Sequence, residues 1–179
     1  VTSVRLDEQL CFALYTASRA VIAAQRPGLA ELGLTYPQYL AMLVLWEEDE
    51  ISVSRLCRRL QLDSGTVSPL LRRLEAQGYL SRRRSSDDER SVTVSLTPEG
   101  AALGARADCV YDSLVAAIAD AAHEESAQED SAQEDSADAR TDVPFDADAL
   151  IALRTTLHDL TDELRRHLGA AAPSKGTDT

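Results

Sequence analysis

Residues 6–20, LDEQLCFALYTASRA, place a thiol, Cys11, one helical turn from a phenol, Tyr15. A cysteine in that setting can sense oxidants: its thiolate attacks a peroxide and becomes a sulfenic acid, provided the thiol pKa is lowered and the oxidant has access. A phenol four residues on can donate a hydrogen bond to the sulfur. The alternative is plain packing, since free cysteine is among the most buried residue types, and on the residues alone both readings stand. Cys57 lies on an apolar helical stripe and reads as core, whereas Cys109, beside Tyr111, reads either as core or as a second thiol that resolves an oxidised Cys11. Three cysteines this far apart, with three histidines elsewhere, make neither a disulfide framework nor a zinc motif, and no metal or cofactor is expected.

A second chemistry is the recognition of phosphate and bases. The formal charge of -12 over 179 residues argues against such a partner, because an acidic protein repels phosphate. The distribution reverses that reading. Residues 53–90 hold nine of the eighteen basic residues against five acids, a local excess of +4, while residues 121–145 hold eight acids and one arginine, -7. Screening cuts off fields beyond about 10 Å at ordinary salt, so a duplex meets the local charge. Within the basic segment, DSGTVSPLLRRLE reads as the second helix of a helix-turn-helix. Lying in the major groove, it sets Ser64, Gly65, Thr66 and Ser68 near bases and phosphates, with Arg72 and Arg73 beside them. Arg82, Arg84 and Arg90 follow on a hairpin, and Arg90, flanked by Asp88, can enter a narrow A·T-rich minor groove. Arginines that merely solvate a surface are the bland alternative, and their concentration on these two elements disfavours it.

The elements needed to hold these residues are legible in the periodicity. Leu6, Leu10, Leu14, Ala17 and Val21 predict a helix over 6–25 that ends before Pro27, followed by a polar break with Gly28 and Gly33. Thr35, Tyr36 and Pro37 start an apolar helix through YLAMLVLW, ended by EEDE. Ser52 caps a short helix with Val53, Leu56, Cys57 and Leu60 on one face. Asp63 or Ser64 then caps the next, which buries Val67, Leu70, Leu71 and Leu74, carries Pro69 in its first turn or so, and ends at Gly78. YLSRRR and SVTVSLT predict a β-hairpin with a charged tip; Thr97, Pro98 and Glu99 start a helix to about 120. The pentapeptide SAQED occurs twice between 126 and 135, in a stretch expected to be a mobile acidic insertion. Asp146 caps a last helix with a leucine stripe from Leu150 to Leu168.

That order predicts a mainly α fold with a small β-hairpin wing: a winged helix-turn-helix with flanking dimerisation helices. The expected parts are an N-terminal helix with the cysteine (1–34), a winged helix-turn-helix domain (35–97) and a long linking helix (98–120). An acidic insertion (121–145), a C-terminal dimerisation helix (146–168) and a flexible tail (169–179) follow. The outer apolar stripes lack a partner within so small a core, and a second copy of the chain would bury them. Such a two-fold dimer would meet half-sites roughly 34 Å apart. With no run of about 20 apolar residues and no secretory layout at the N-terminus, a cytoplasmic protein without membrane contact is expected.

The strings LDEQLCFALYTASRA, LGLTYPQYLAMLVLWE, LDSGTVSPLLRRLEAQG and RSSDDERSVTVSLTPEG resemble, in order and spacing, the organic-hydroperoxide-sensing repressors of the MarR family, the OhrR type. The likeness covers roughly residues 4–107. It implies a homodimeric repressor, not an enzyme, that binds double-stranded operator DNA when reduced and releases it when organic hydroperoxides oxidise Cys11. On that likeness Tyr36 of the partner subunit donates to the Cys11 sulfur, Tyr15 lies nearby, and Asp88 and Arg90 match the wing pair. Gln25 stands where family members often have a second phenol, and an amide can donate a hydrogen bond but cannot act as an acid. In the two-cysteine branch a second thiol closes an intersubunit disulfide, for which Cys109 is the candidate. Three other functions fit the residues less well: a MarR-type regulator released by a small apolar or phenolic ligand, with Cys11 structural; a catalytic thiol peroxidase, which lacks a second polar catalytic group near Cys11; and a protein-interaction adaptor using the acidic insertion, which would show no salt-dependent duplex binding.

Overall fold

The computed structural model describes residues 5–84, 92–129 and 147–170. The chain divides after Ala121 into two compact units. Among the described residues no helix is long and apolar enough to cross a membrane.

In the first unit a 3-10 turn, Leu6–Glu8, leads into α1 (Leu10–Ala24) and, after Gln25 alone, α2 (Arg26–Leu32). The expected polar break is therefore a helix. Pro27 sits at its start, where no backbone bond is lost. Leu29 and Leu32 bury inward, and Gly33, at φ 66°, closes it in the left-handed conformation. Next come α3 (Tyr36–Glu47), the short strand β1 (Ile51–Ser52), α4 (Val53–Leu60) and α5 (Ser64–Ala76). Ser52 caps α4 by accepting from the Arg55 amide, and Asp63, not Ser64, caps α5 by accepting from the Thr66 amide. Pro69 is the sixth residue of α5, deeper than the first turn, so the bond from its position to the Gly65 carbonyl is forfeited.

Strands β2 (Leu80–Arg84) and β3 (Val92–Leu96) form the hairpin. It belongs to a three-stranded antiparallel sheet in the order β1-β3-β2, in which Val94 faces Ile51 on one side and Arg82 on the other. Two residues of β1 were too short to announce themselves by alternation. The Asp49 carboxylate strengthens this junction by accepting from the Leu96 and Glu50 amides, each at 2.8 Å. The hairpin tip, with Asp88 and Arg90, lies outside the described residues.

The helix expected from 97 to 120 is two helices, α6 (Pro98–Gly104) and α7 (Asp108–Glu129). Between them the amides of Ala105, Arg106 and Ala107 bond three residues back, tightening the chain into a turn. Beyond residue 120 α7 continues to Glu129, so part of the acidic stretch is helical. In the second unit the last helix is α8 (Ala147–Ala170).

Leu32, Met42, Leu45, Leu56, Leu71, Leu74, Leu80, Val94 and Val110 lie among one buried cluster drawn from α2, α3, α4, α5, the sheet and α7. Gly28 lets α2 approach α7: a Cβ there would stand 2.4 Å from the Cys109 carbonyl oxygen and 2.6 Å from the Val110 Cα. Gly28→Ala should destabilise the fold by about 1–3 kcal/mol through this overpacking, read as a lowered thermal midpoint in circular dichroism. An unchanged midpoint would mean that α2 and α7 separate without cost.

Candidate functional site

Helix α5 presents its solvent face because its other face is core. Val67, Leu70, Leu71 and Leu74 are all 8% exposed or less. At 100° per residue their mean direction leaves Gly65, Pro69 and Arg72 opposite, flanked by Ser68, Thr66 and Arg73. Ser64, Gly65, Thr66, Arg72 and Arg73 are exposed, and Ser68 is half-buried. Two of the hydroxyls are already engaged within the helix: Thr66 Oγ1 donates to Asp63 Oδ2 at 3.0 Å and Ser68 Oγ to the Ser64 carbonyl at 2.6 Å. They remain acceptors, whereas the Arg72 and Arg73 guanidinium groups are in no ion pair among the described residues.

The sheet divides its arginines in two. Arg83 and Arg84 are exposed. Arg82 is turned inward, and Glu75 of α5 takes up its Nε at 2.9 Å, its Nη2 at 2.5 Å and its backbone amide at 3.2 Å. Arg82 therefore holds the wing to the helix rather than standing free for a phosphate, a division that the spacing of three consecutive arginines did not disclose. A comparable clamp fixes α4 to the end of α3: Arg55 donates to Glu48 at 2.6 Å, and Arg59 pairs with both Glu47 and Glu48. The acids that end α3 thus anchor the first helix of the pair.

The thiols occupy three different settings. Cys11 is exposed on α1, so it is not core filler within its own chain. Around it Leu6, Leu10, Leu14, Tyr15 and Val21 are exposed too, Leu10 at 63%. The Tyr15 hydroxyl accepts from Arg19 Nη1 at 3.0 Å, and the guanidinium lies 5.5 Å from the ring centre, so this phenol is turned one helical turn away from the thiol. Cys57 packs against the core, and burial first, then the Asp63 carboxylate, pushes its pKa up. Cys109 donates weakly to the Gly28 carbonyl at 3.5 Å; burial and then Glu31 push its pKa up.

Gln25 is half-buried at the α1–α2 junction, and its carbonyl accepts from the Leu29 amide at 3.0 Å. Tyr36, the first residue of α3, packs against the core. Among the described residues no hydrogen bond joins Cys11 to Tyr15, Gln25, Tyr36 or Cys109 within one chain. A residue absent from the expected set is Tyr39, one turn after Tyr36. Burial holds its phenol above the ordinary range, and Cys109, Asp108 and Tyr36 add to the shift, so it is a protonated donor beside Cys109. Its i+3 spacing from Tyr36 was the available signal. Among the described residues no group of histidine, cysteine and carboxylate side chains is arranged to hold a metal ion.

Comparison with known proteins places this arrangement. The family described as transcriptional regulator SarA/Rot matches residues 24–105. The organic hydroperoxide resistance transcriptional regulator of Bacillus subtilis is 49% identical over 104 residues, covering 58% of this chain and 71% of that protein. The HTH-type transcriptional regulator TtmR of Methylorubrum extorquens is 53% identical over 105 residues, covering 59% of this chain but only 54% of its own length. Among solved structures, reduced AbfR bound to DNA superposes with a TM-score of 0.56 at 37% identity, covering 60% of this chain and 76% of that one; AbfR is also known from Staphylococcus epidermidis crystals. The chain belongs to the SarA/Rot, MarR-like winged-helix family of transcriptional regulators.

Three carboxyls of this region lie below their ordinary range: Glu75 mainly through Arg82, Glu48 mainly through Arg55, and Asp63 mainly through the Thr66 amide. Their pKa values are lower in the folded chain, so their stabilisation is fully present above the unfolded values of about 4 and is lost as pH falls through the folded ones. The urea midpoint should hold from neutral pH to about 5 and decline in more acid solution, less steeply for Glu75→Gln. An equal decline in that variant would remove Glu75 from the account.

Proposed function

We propose that this chain is a redox-sensing transcriptional repressor that grips operator DNA as a reduced homodimer and lets go when an organic hydroperoxide oxidises Cys11. One observation carries the reading: of the three thiols, Cys11 alone is exposed, in a fold whose α5 and wing present exposed arginines. The likeness to a hydroperoxide resistance regulator and to DNA-bound AbfR supports the same assignment. It is a regulator rather than an enzyme, and a cytoplasmic location accords with DNA as its partner.

In this reading the amide end and the Gly65–Arg72 face of α5 enter the major groove, with Arg73 beside them and Arg83, Arg84 and Arg90 following along the wing. The exposed leucines of α1 pair with a second copy, which brings Tyr36 of the partner subunit to the Cys11 sulfur. Oxidation forms a bond between that sulfur and the distal oxygen of the hydroperoxide while the O–O bond breaks; the sulfur loses two electrons and the alcohol leaves with a proton, giving the sulfenic acid. Attack by a second thiol then forms a disulfide and releases water. Cys109 is the candidate for that second role, and AbfR is known in a disulfide-formed state.

Loss of operator affinity by about 3 kcal/mol, a little over two factors of ten, suffices to empty a site at fixed protein concentration. Mobility shifts should therefore show wild type released by cumene hydroperoxide and Cys11→Ser retained; equal release of both refutes the thiol as sensor. Arg72→Ala should weaken operator binding about tenfold or more in the reduced state, with the thiol still reactive. Undiminished binding would take Arg72 out of the groove.

A further inference from the structure

Tyr36 opens α3, and the residues just before it are tied through a buried amide to the far end of the recognition helix. The Thr35 backbone N–H and hydroxyl both donate to Gln38 Oε1, at 2.8 and 2.9 Å. Gln38 Nε2 donates to Gln77 Oε1 at 3.0 Å, and Gln77 Nε2 donates to the Gly33 carbonyl at 3.2 Å. The circuit runs from the α2–α3 turn through Gln38 to Gln77, the residue that caps the end of α5. Gln38 is 6% exposed and is the only polar side chain among the buried residues described.

The pattern admits one orientation of each amide. Gln38 must present its oxygen to the Thr35 donors, which leaves its nitrogen for Gln77; Gln77 must then present its oxygen, which leaves its nitrogen for the Gly33 carbonyl. Separation leaves the Gln38 Nε2 donor without a partner at a buried residue, while Gln77, which is exposed, can turn to water. The start of α3 and the end of α5 therefore move together.

We infer that Gln38 and Gln77 are positioning residues that couple the Tyr36 end of α3 to α5, so that a rearrangement at the Cys11 site tilts the recognition helix. This inference rests on the proposed role of Cys11 as sensor. Neither residue touches the reacting sulfur or the DNA face of α5; they act through the two helices they join. Coupling of this kind is a differential effect on two states of one element, and its measure is the ratio of operator affinities in those states.

The test uses full-length Gln77→Met, which removes both bonds of Gln77 yet leaves Gln38 bonded to Thr35, and Gln77→Glu, which keeps the acceptor for Gln38 Nε2 and loses the donor to Gly33. Operator Kd is measured before and after cumene hydroperoxide, with the oxidised fraction of Cys11 read by mass spectrometry on the same samples. Gln77→Met should bind operator when reduced much as wild type does and oxidise equally, while the oxidised-to-reduced Kd ratio falls about tenfold or more; Gln77→Glu should keep the ratio. A purely structural role would weaken reduced binding and leave the ratio alone, and that result overturns the inference, as does a wild-type ratio in Gln77→Met. Loss of the ratio in Gln77→Glu overturns the assignment to Gln38. Should Gln77→Met fail to fold, Gln77→Ala makes the same two-bond deletion and the same outcomes apply. Equal release of Cys11→Ser and wild type instead sinks the sensing role, and the coupling falls with it.

Discussion

Burial of one face of α5 is the constraint on which the interface depends. Val67, Leu70, Leu71 and Leu74 leave at most 8% of their surface in water, worth roughly 6–12 kcal/mol for the four before chain entropy is set against it. A helix so seated cannot rotate, since a turn of 100° would expose two or more of these side chains. Its outward residues are therefore determined by its inward ones. Gly65, Pro69 and Arg72 face solvent because the leucines do not.

Around that seat, polar contacts set angles that apolar packing leaves soft. Glu75 holds the middle of β2, Asp63 the start of α5, and Gln77 joins its end to Gln38. Glu47 and Glu48 hold α4 against the end of α3. Individually the exposed or half-exposed ion pairs among these contribute little stability, because water screens them. Their effect is geometric: bonds of fixed length at both ends of α5 and one along the wing fix how these elements stand to one another.

Much of this was open to a reader of the residues. The apolar spacing in VSRLCRRL and SGTVSPLLRRLE, with Ser52 and Asp63 before them, announces two capped helices, and the alternation in SVTVSLT announces the wing. Three features were not. The strand Ile51–Ser52 is too brief for a period; α2 hides behind a proline and two glycines; and the turn at 105–107 sits in a run of alanines and a glycine that favours helix locally. Each is decided by contacts across the chain: Val94 pairing with Ile51, Gly28 lying against Val110, and Gly104 meeting the Trp46 ring.

Residue type and spacing by themselves determined the class of fold and the basic segment, because periodicity and capping are local properties of the chain. Which arginine is tied down by a carboxylate of α5 was settled only in three dimensions. Arg82, Arg83 and Arg84 are identical neighbours in the sequence, yet strand alternation turns the first toward Glu75 and the packing of α5 brings that carboxylate within reach. The same holds for the thiols. Nothing in composition separates Cys11 from Cys57 or Cys109; burial does, since two of the three rest against a core assembled from distant segments while Cys11 is exposed on its own chain.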